Sequence, residues 1–236
     1  MFLDPFHAAG DGRLRISAAQ GSAFAKQIAG DFNPIHDATH PRFCVPGDLL
    51  FALVLARCGL SRRMTFRFTG MVAADAALTV IERDAGIVVE TADGKPCLAV
   101  ERSGQVTRDA ALIEALVRRY VAFSGQNFPH ILVPLMEQQG VMINPDRPLV
   151  IYDRMAFELD RLDDPDVDLA LESTELEVKG KRGEARLGFR LTAAGEPVGL
   201  GAKTLILSGL RAYEPAALRG LVERYDAWKA AGLAEA

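Results

Sequence analysis

From Ser17 the hydrophobic pattern is helical. Phe24 and Ile28 stand four apart, Ser17-Ala18-Ala19-Gln20 has the form of a capping box, and Gly30 is placed to stop the segment. The spacing predicts a helix over Ser17–Ala29. After a polar loop, Phe43–Cys58 contains only two charged residues, Asp48 and Arg57, with Pro46 suited to a first helical turn and Gly59 to the stop. A helix apolar on every side is a buried helix, so other elements must cover it. The next segment has the required form: Met64, Phe66 and Phe68 alternate with Thr65, Arg67 and Thr69, the period of a strand with one buried face. Further strands are predicted at Leu78–Glu82, Ile87–Thr91 and Cys97–Val106.

The second half repeats this order. Asp109 is placed to cap a helix with a stripe of Leu112, Ile113, Leu116, Val117 and Tyr120, and a short apolar helix is predicted from Pro129 to Gln139. Strands follow at Leu149–Glu158, Leu169–Val178, Arg186–Thr192 and Val198–Leu207. The turn Thr91-Ala92-Asp93-Gly94-Lys95-Pro96 returns as Thr192-Ala193-Ala194-Gly195-Glu196-Pro197, with glycine where a tight hairpin needs positive φ. A buried helix gripped by an antiparallel sheet, made twice in one chain, is the architecture of an α+β double hotdog. The expected division is one module over 1–108, a second over 109–210, and a C-terminal helix within 211–236 that packs across the outside through Leu218, Leu221, Val222, Tyr225 and Trp228. An α+β fold with separated layers is the alternative, and periodicity alone does not choose between them.

Composition narrows the classes of function. A chain of 236 residues with 49% hydrophobic and 25% charged residues can bury a large core. Lys and Arg number 27 against 31 Asp and Glu, scattered rather than gathered in a stripe, so nucleic acid is not an expected partner. The longest apolar run, Leu49–Ala56, falls well short of the ~20 residues of a membrane span, and Met1–Phe6 lacks the basic-then-apolar order of an export signal. Cys44, Cys58 and Cys97 form neither a C-x-x-C pair nor a zinc spacing and read as reduced, buried thiols of a cytoplasmic protein. Phosphate-binding glycine signatures are absent, which argues against nucleotide hydrolysis and NAD chemistry.

The candidate chemistry lies in Asp31-Phe32-Asn33-Pro34-Ile35-His36-Asp37. Pro34 stiffens this loop and Asn33 can bond neighbouring backbone, so a carboxylate and an imidazole five residues apart can be held toward one water as an acid/base pair. The structural reading of the same residues is a turn in which Asp31 bonds the loop and His36 is a hydrogen-bonded scaffold residue. Asp31, His36, Asp37 and His40 match no established zinc pattern, so no metal is expected. Cys44 reads as a small hydrophobe before the buried helix rather than as a nucleophile paired with His36.

The pattern Asp31-x-Asn33-Pro34-x-His36, followed by an apolar helix entered through Pro46-Gly47, resembles the MaoC-like, or hydratase-2-type, enoyl-CoA hydratases. That resemblance implies a hotdog fold and reversible addition of water to trans-2-enoyl thioesters, giving the (R)-3-hydroxyacyl product. It implies Asp31 and His36 as the proton-exchanging pair and the Gly47 N–H as the donor to the thioester oxygen, with Asn33 and Pro46 as substrate-binding neighbours. It implies no cofactor beyond the CoA or acyl carrier protein that carries the substrate. Pro46 stands where those enzymes usually have histidine, and Asp48 reads as a first-turn capping carboxylate. Asp31–Asp37 together with Arg42–Phe51 is similar to an uncharacterised bacterial family of unknown function, which implies the fold and no substrate. An acyl-CoA thioesterase and a non-catalytic acyl-thioester binding or scaffold protein are the alternative functions, and a monomer or a homodimer is expected. The counterpart in the second half, Gln126-Asn127-Phe128-Pro129-His130, has no carboxylate, so that half is expected only to complete the groove for the acyl chain and pantetheine arm.

Overall fold

The computed structural model describes residues 2–84, 86–164 and 166–234, so positions 235–236 of the expected C-terminal segment, and Met1, lie outside the described residues. A short hairpin of β1 (Ala8–Gly10) and β2 (Arg13–Arg15) precedes α1 (Ala18–Ala23), which continues as a π-helical stretch over Phe24–Ala29. The capping box is formed as expected: the Ser17 hydroxyl accepts from the Gln20 N–H, and the Gln20 side chain accepts from the Ser17 N–H. Gly30 ends the helix in the left-handed region at φ 64°, and the Asp31 N–H returns to the Ala25 carbonyl. Neither the β1–β2 hairpin nor the change from α to π geometry was in the pattern.

Next come α2 (Gly47–Cys58), β3 (Leu60–Phe68), β4 (Leu78–Arg83), β5 (Gly86–Thr91) and β6 (Pro96–Thr107). They are followed by α3 (Ala110–Gly125), α4 (Leu132–Gln138), β7 (Val141–Met142), β8 (Val150–Leu159), β9 (Val167–Lys179), β10 (Arg182–Ala193) and β11 (Glu196–Ser208). The chain closes with β12 (Arg211–Ala212), paired with β7, and α5 (Pro215–Ala234). Ten strands form one sheet in the order β1-β2-β4-β5-β6-β3-β8-β11-β10-β9. Counted outward from the β3–β8 junction, the order is β3, β6, β5, β4 on one side and β8, β11, β10, β9 on the other. Each half therefore repeats the same winding, and the antiparallel junction, with Thr65 opposite Ala156, makes the sheet continuous. Joining the halves in this way leaves neither junction strand as an open edge. The fold is a double hotdog.

The apolar pattern of α2 is explained by its position: nine of its twelve residues are buried, Leu49 to Leu55 among them. Phe51 packs edge-on against Phe66 of β3 at 5.0 Å between ring centroids and tilts against Tyr120 of α3 at 4.9 Å. Such aromatic pairs add directional preference to the burial itself. The two repeated turns close the β5–β6 and β10–β11 hairpins, with Gly94 and Gly195 at φ 78° and 83°. The helix expected over Pro129–Gln139 is the seven-residue α4, of which Leu132, Leu135 and Met136 are buried. Leu218, Leu221 and Tyr225 of α5 are buried, and Leu221, Tyr225 and Trp228 form part of a cavity wall.

Candidate active site

Asp31 and His36 are held by a short ladder of local bonds. The Asp31 Oδ1 accepts the Asn33 N–H at 2.9 Å, and the Asn33 Oδ1 accepts the Ile35 N–H at 3.2 Å, capping a single 3₁₀ turn over Pro34–His36. Asn33 thus spends its side-chain oxygen on the loop. His36 Nδ1 lies 2.8 Å from the Cys44 carbonyl, which can only accept, so Nδ1 carries a proton and Nε2 is left for other partners. Nε2 is 3.8 Å from Asp31 Oδ2, beyond a direct hydrogen bond but inside ion-pair range. The contribution of Cys44 is therefore its backbone, which fixes the imidazole. Its thiol, pushed up by burial, donates to the Val45 carbonyl.

Asp37 does something else. Its carboxylate takes the Lys26 ammonium at 2.9 Å and both the N–H and the hydroxyl of Thr39, contacts that hold it well below the usual carboxylate range. It ties the loop to the preceding helix. Among the described residues, no three His, Cys, Asp or Glu side chains gather as a metal site needs.

Asp31, Asn33, His36, Pro46 and Gly47 all line one cavity of about 380 Å³, so the loop and the start of α2 meet there. No side chain caps α2, whose first N–H groups have no partner within the helix. Gly47 sits in a tight fit: a Cβ there would lie 3.0 Å from the Phe68 ring and 3.2 Å from the Tyr152 ring, so these rings would have to shift to admit it. The close fit of Asp31's backbone against α3 also depends on a glycine, because a Cβ on Gly125 would meet the Ala29 carbonyl at 1.9 Å.

The reading of Asp48 as a helix cap is wrong. Its side chain is buried and accepts, through Oδ2, the hydroxyl proton of Ser124 on α3 at 2.5 Å. Lys203 of β11, also buried, donates to the same Ser124 oxygen at 2.5 Å and lies 4.3 Å from the centre of the Tyr152 ring. The Tyr152 and Tyr120 hydroxyls are hydrogen-bonded to each other. Burial pushes the Asp48 carboxyl up and the Lys203 ammonium down, while their mutual attraction opposes both shifts. Asp48, Ser124, Tyr152 and Lys203 line the same cavity as Asp31 and His36. The sequence did carry one signal for this cluster: Lys203 is the only charged residue in the mostly apolar run from Val198 to Leu207.

Residues 1–216 match the family model described as Protein of unknown function (DUF3581). The chain belongs to that family. A search of curated proteins finds no match. Among solved structures, the chain is similar to a conserved protein of unknown function with hot dog fold from Alicyclobacillus acidocaldarius, at 8% identity over 88% of this chain and 98% of that one, with a TM-score of 0.47. It is also similar to an acyl-CoA thioesterase II, TesB2, from Mycobacterium marinum, at 11% identity over 91% and 100% of the two chains, with a TM-score of 0.43. A MaoC-like dehydratase is similar at 9% identity over 85% and 97%, with a TM-score of 0.41. At these values neither a substrate nor a reaction carries over to this DUF3581 member, and its function has to be argued from its own cavity.

Proposed function

We propose that this DUF3581 protein acts on an acyl thioester in the cavity at the start of α2, by reversible hydration of a trans-2-enoyl-CoA to the (R)-3-hydroxyacyl-CoA. The observation that carries this reading is the meeting of Asp31, His36 and the uncapped Gly47 end of α2 on one cavity. A volume of about 380 Å³ suits part of an acyl chain and its thioester, being at the lower end of small-molecule sites. Because Nδ1 is committed to the Cys44 carbonyl, the free imidazole nitrogen is Nε2, next to the Asp31 carboxylate. In this reading Nε2 and Asp31 take the proton of a water whose oxygen bonds the β-carbon. The π electrons move toward the thioester oxygen, where the Gly47 N–H stabilises the developing charge, and the α-carbon takes up a proton.

The test is to incubate the protein with short and medium trans-2-enoyl-CoAs while following loss of the conjugated double bond and release of free thiol in parallel. Loss of conjugation without thiol is the expected result. Thiol release instead makes the protein a thioesterase. Ligand-dependent thermal stabilisation with neither signal makes it a binding protein.

A further inference from the structure

A buried ion pair kept only for structure satisfies every polar atom it buries, since an orphaned charged oxygen is costly. The Asp48 cluster does not. Ser124 occupies Oδ2, but Oδ1 is buried with no hydrogen-bond partner among the described residues, and Asp48, a residue only 8% exposed, is part of the cavity wall. The acid is held by elements from both halves of the sheet: Asp48 by α2, Ser124 by α3 and Lys203 by β11. It also directly follows Gly47, whose N–H is assigned to the thioester oxygen. The α-carbon is one bond from that carbonyl, so a group beside the oxyanion donor is placed for the α-position, whereas Asp31 and His36 are assigned to the water at the β-carbon.

We propose that Asp48 is a second catalytic carboxylate of this cavity, exchanging a proton between its Oδ1 and the substrate's α-carbon, with Ser124 and Lys203 as its positioning residues. The proposal rests on the acyl-thioester reading above. Ser124 donates to Oδ2 in both protonation states, so the proton that comes and goes sits on Oδ1. In hydration the β-carbon gains the water oxygen, His36 gains the water proton, and the α-carbon gains the Oδ1 proton, leaving Asp48 a carboxylate beside the Lys203 ammonium. One proton passing from the imidazolium to Asp48 through solvent restores both groups. Burial pushes the Asp48 carboxyl up and the Lys203 ammonium opposes that rise.

The test separates the two centres with a substrate that cannot be hydrated. In D₂O, a saturated acyl-CoA such as butyryl-CoA is incubated with the protein, and α-hydrogen exchange is read by mass. The wild type and Asp37→Asn, whose carboxylate is bound to Lys26 and Thr39, are expected to exchange, and Asp48→Asn to lose about a hundredfold or more of the rate while keeping its melting transition. Exchange by Asp48→Asn at the wild-type rate, or no exchange by the wild type, overturns the assignment. If Asp48→Asn does not fold, Ser124→Ala carries the test: a rate lowered about tenfold or more supports the assignment, and an unchanged rate in a folded Ser124→Ala overturns it. Enoyl-CoA hydration measured alongside keeps the two readings apart. Hydration without exchange rejects the role of Asp48 and leaves the proposed reaction, and exchange without hydration does the reverse.

Discussion

The two halves of the sheet wind alike, yet what they place beneath it differs. The first half has the twelve-residue α2, buried over most of its length, and enters it through a loop bearing Asp31 and His36. The second has the seven-residue α4, entered through Asn127, Phe128 and Pro129 with no carboxylate, and its His130 is exposed. The strand order and the hairpin turns are thus repeated where backbone pairing dictates them, and the chemistry is not. The second half is still more than a wall for the groove. It brings Ser124, Tyr152 and Lys203 to the first half's Asp48, so the cavity joins the partly exposed Asp31 and His36 side chains to a buried cluster in which Ser124 bridges Asp48 and Lys203.

That difference can be broken most severely at Lys203. Lys203→Met removes the buried cation that Ser124 links to Asp48 and is expected to cost about 3–5 kcal/mol of stability, measured by urea unfolding. Adding Asp48→Asn to it should recover most of the loss; a single variant as stable as the wild type would mean the pair is not a buried charge pair. Gly47→Ala is a finer probe. Its Cβ forces the Phe68 and Tyr152 rings to move by a few tenths of an ångström, so turnover should fall about tenfold by displacing the proposed oxyanion donor, with about 1 kcal/mol lost in stability. Unchanged kinetics would place the thioester away from the start of α2.

The smallest effect is expected at Asp37→Asn, because the Lys26–Asp37 pair is more than a third exposed and solvent screens it to under about 1 kcal/mol. Since the folded carboxylate titrates below its unfolded value, its contribution is present at neutral pH and is lost as pH falls below about 4. The wild type and variant should therefore converge in stability at low pH. A difference that grows on acidification would show that Asp37 is not held as the ion.

What was legible in the sequence was what is encoded locally. Ser17 and Gln20 are three residues apart and make the capping box, and the repeated turns around Gly94 and Gly195 mark corresponding hairpins. The Asp-x-Asn-Pro-x-His loop was legible for the same reason, since nearly all its bonds run between near neighbours. The β1–β2 hairpin was missed although Asp11-Gly12 is a turn signal, because strands of three residues leave no period to read. Asp48 was misread because its partners are 76 residues away on α3 and, through Ser124, on β11. A carboxylate in a first helical turn looks the same in sequence whether it caps the helix or leaves it. Pairing across the two halves is a property of the closed sheet, not of any segment.

The central claim is that the Asp31–His36 pair performs the chemistry of this cavity. Initial rates of trans-2-enoyl-CoA hydration for the wild type, Asp31→Asn and His36→Ala, each with its melting temperature, test it most directly. The account predicts losses of about a hundredfold or more in both variants with their folding transitions retained. A folded variant of either kind that turns over at the wild-type rate would contradict it.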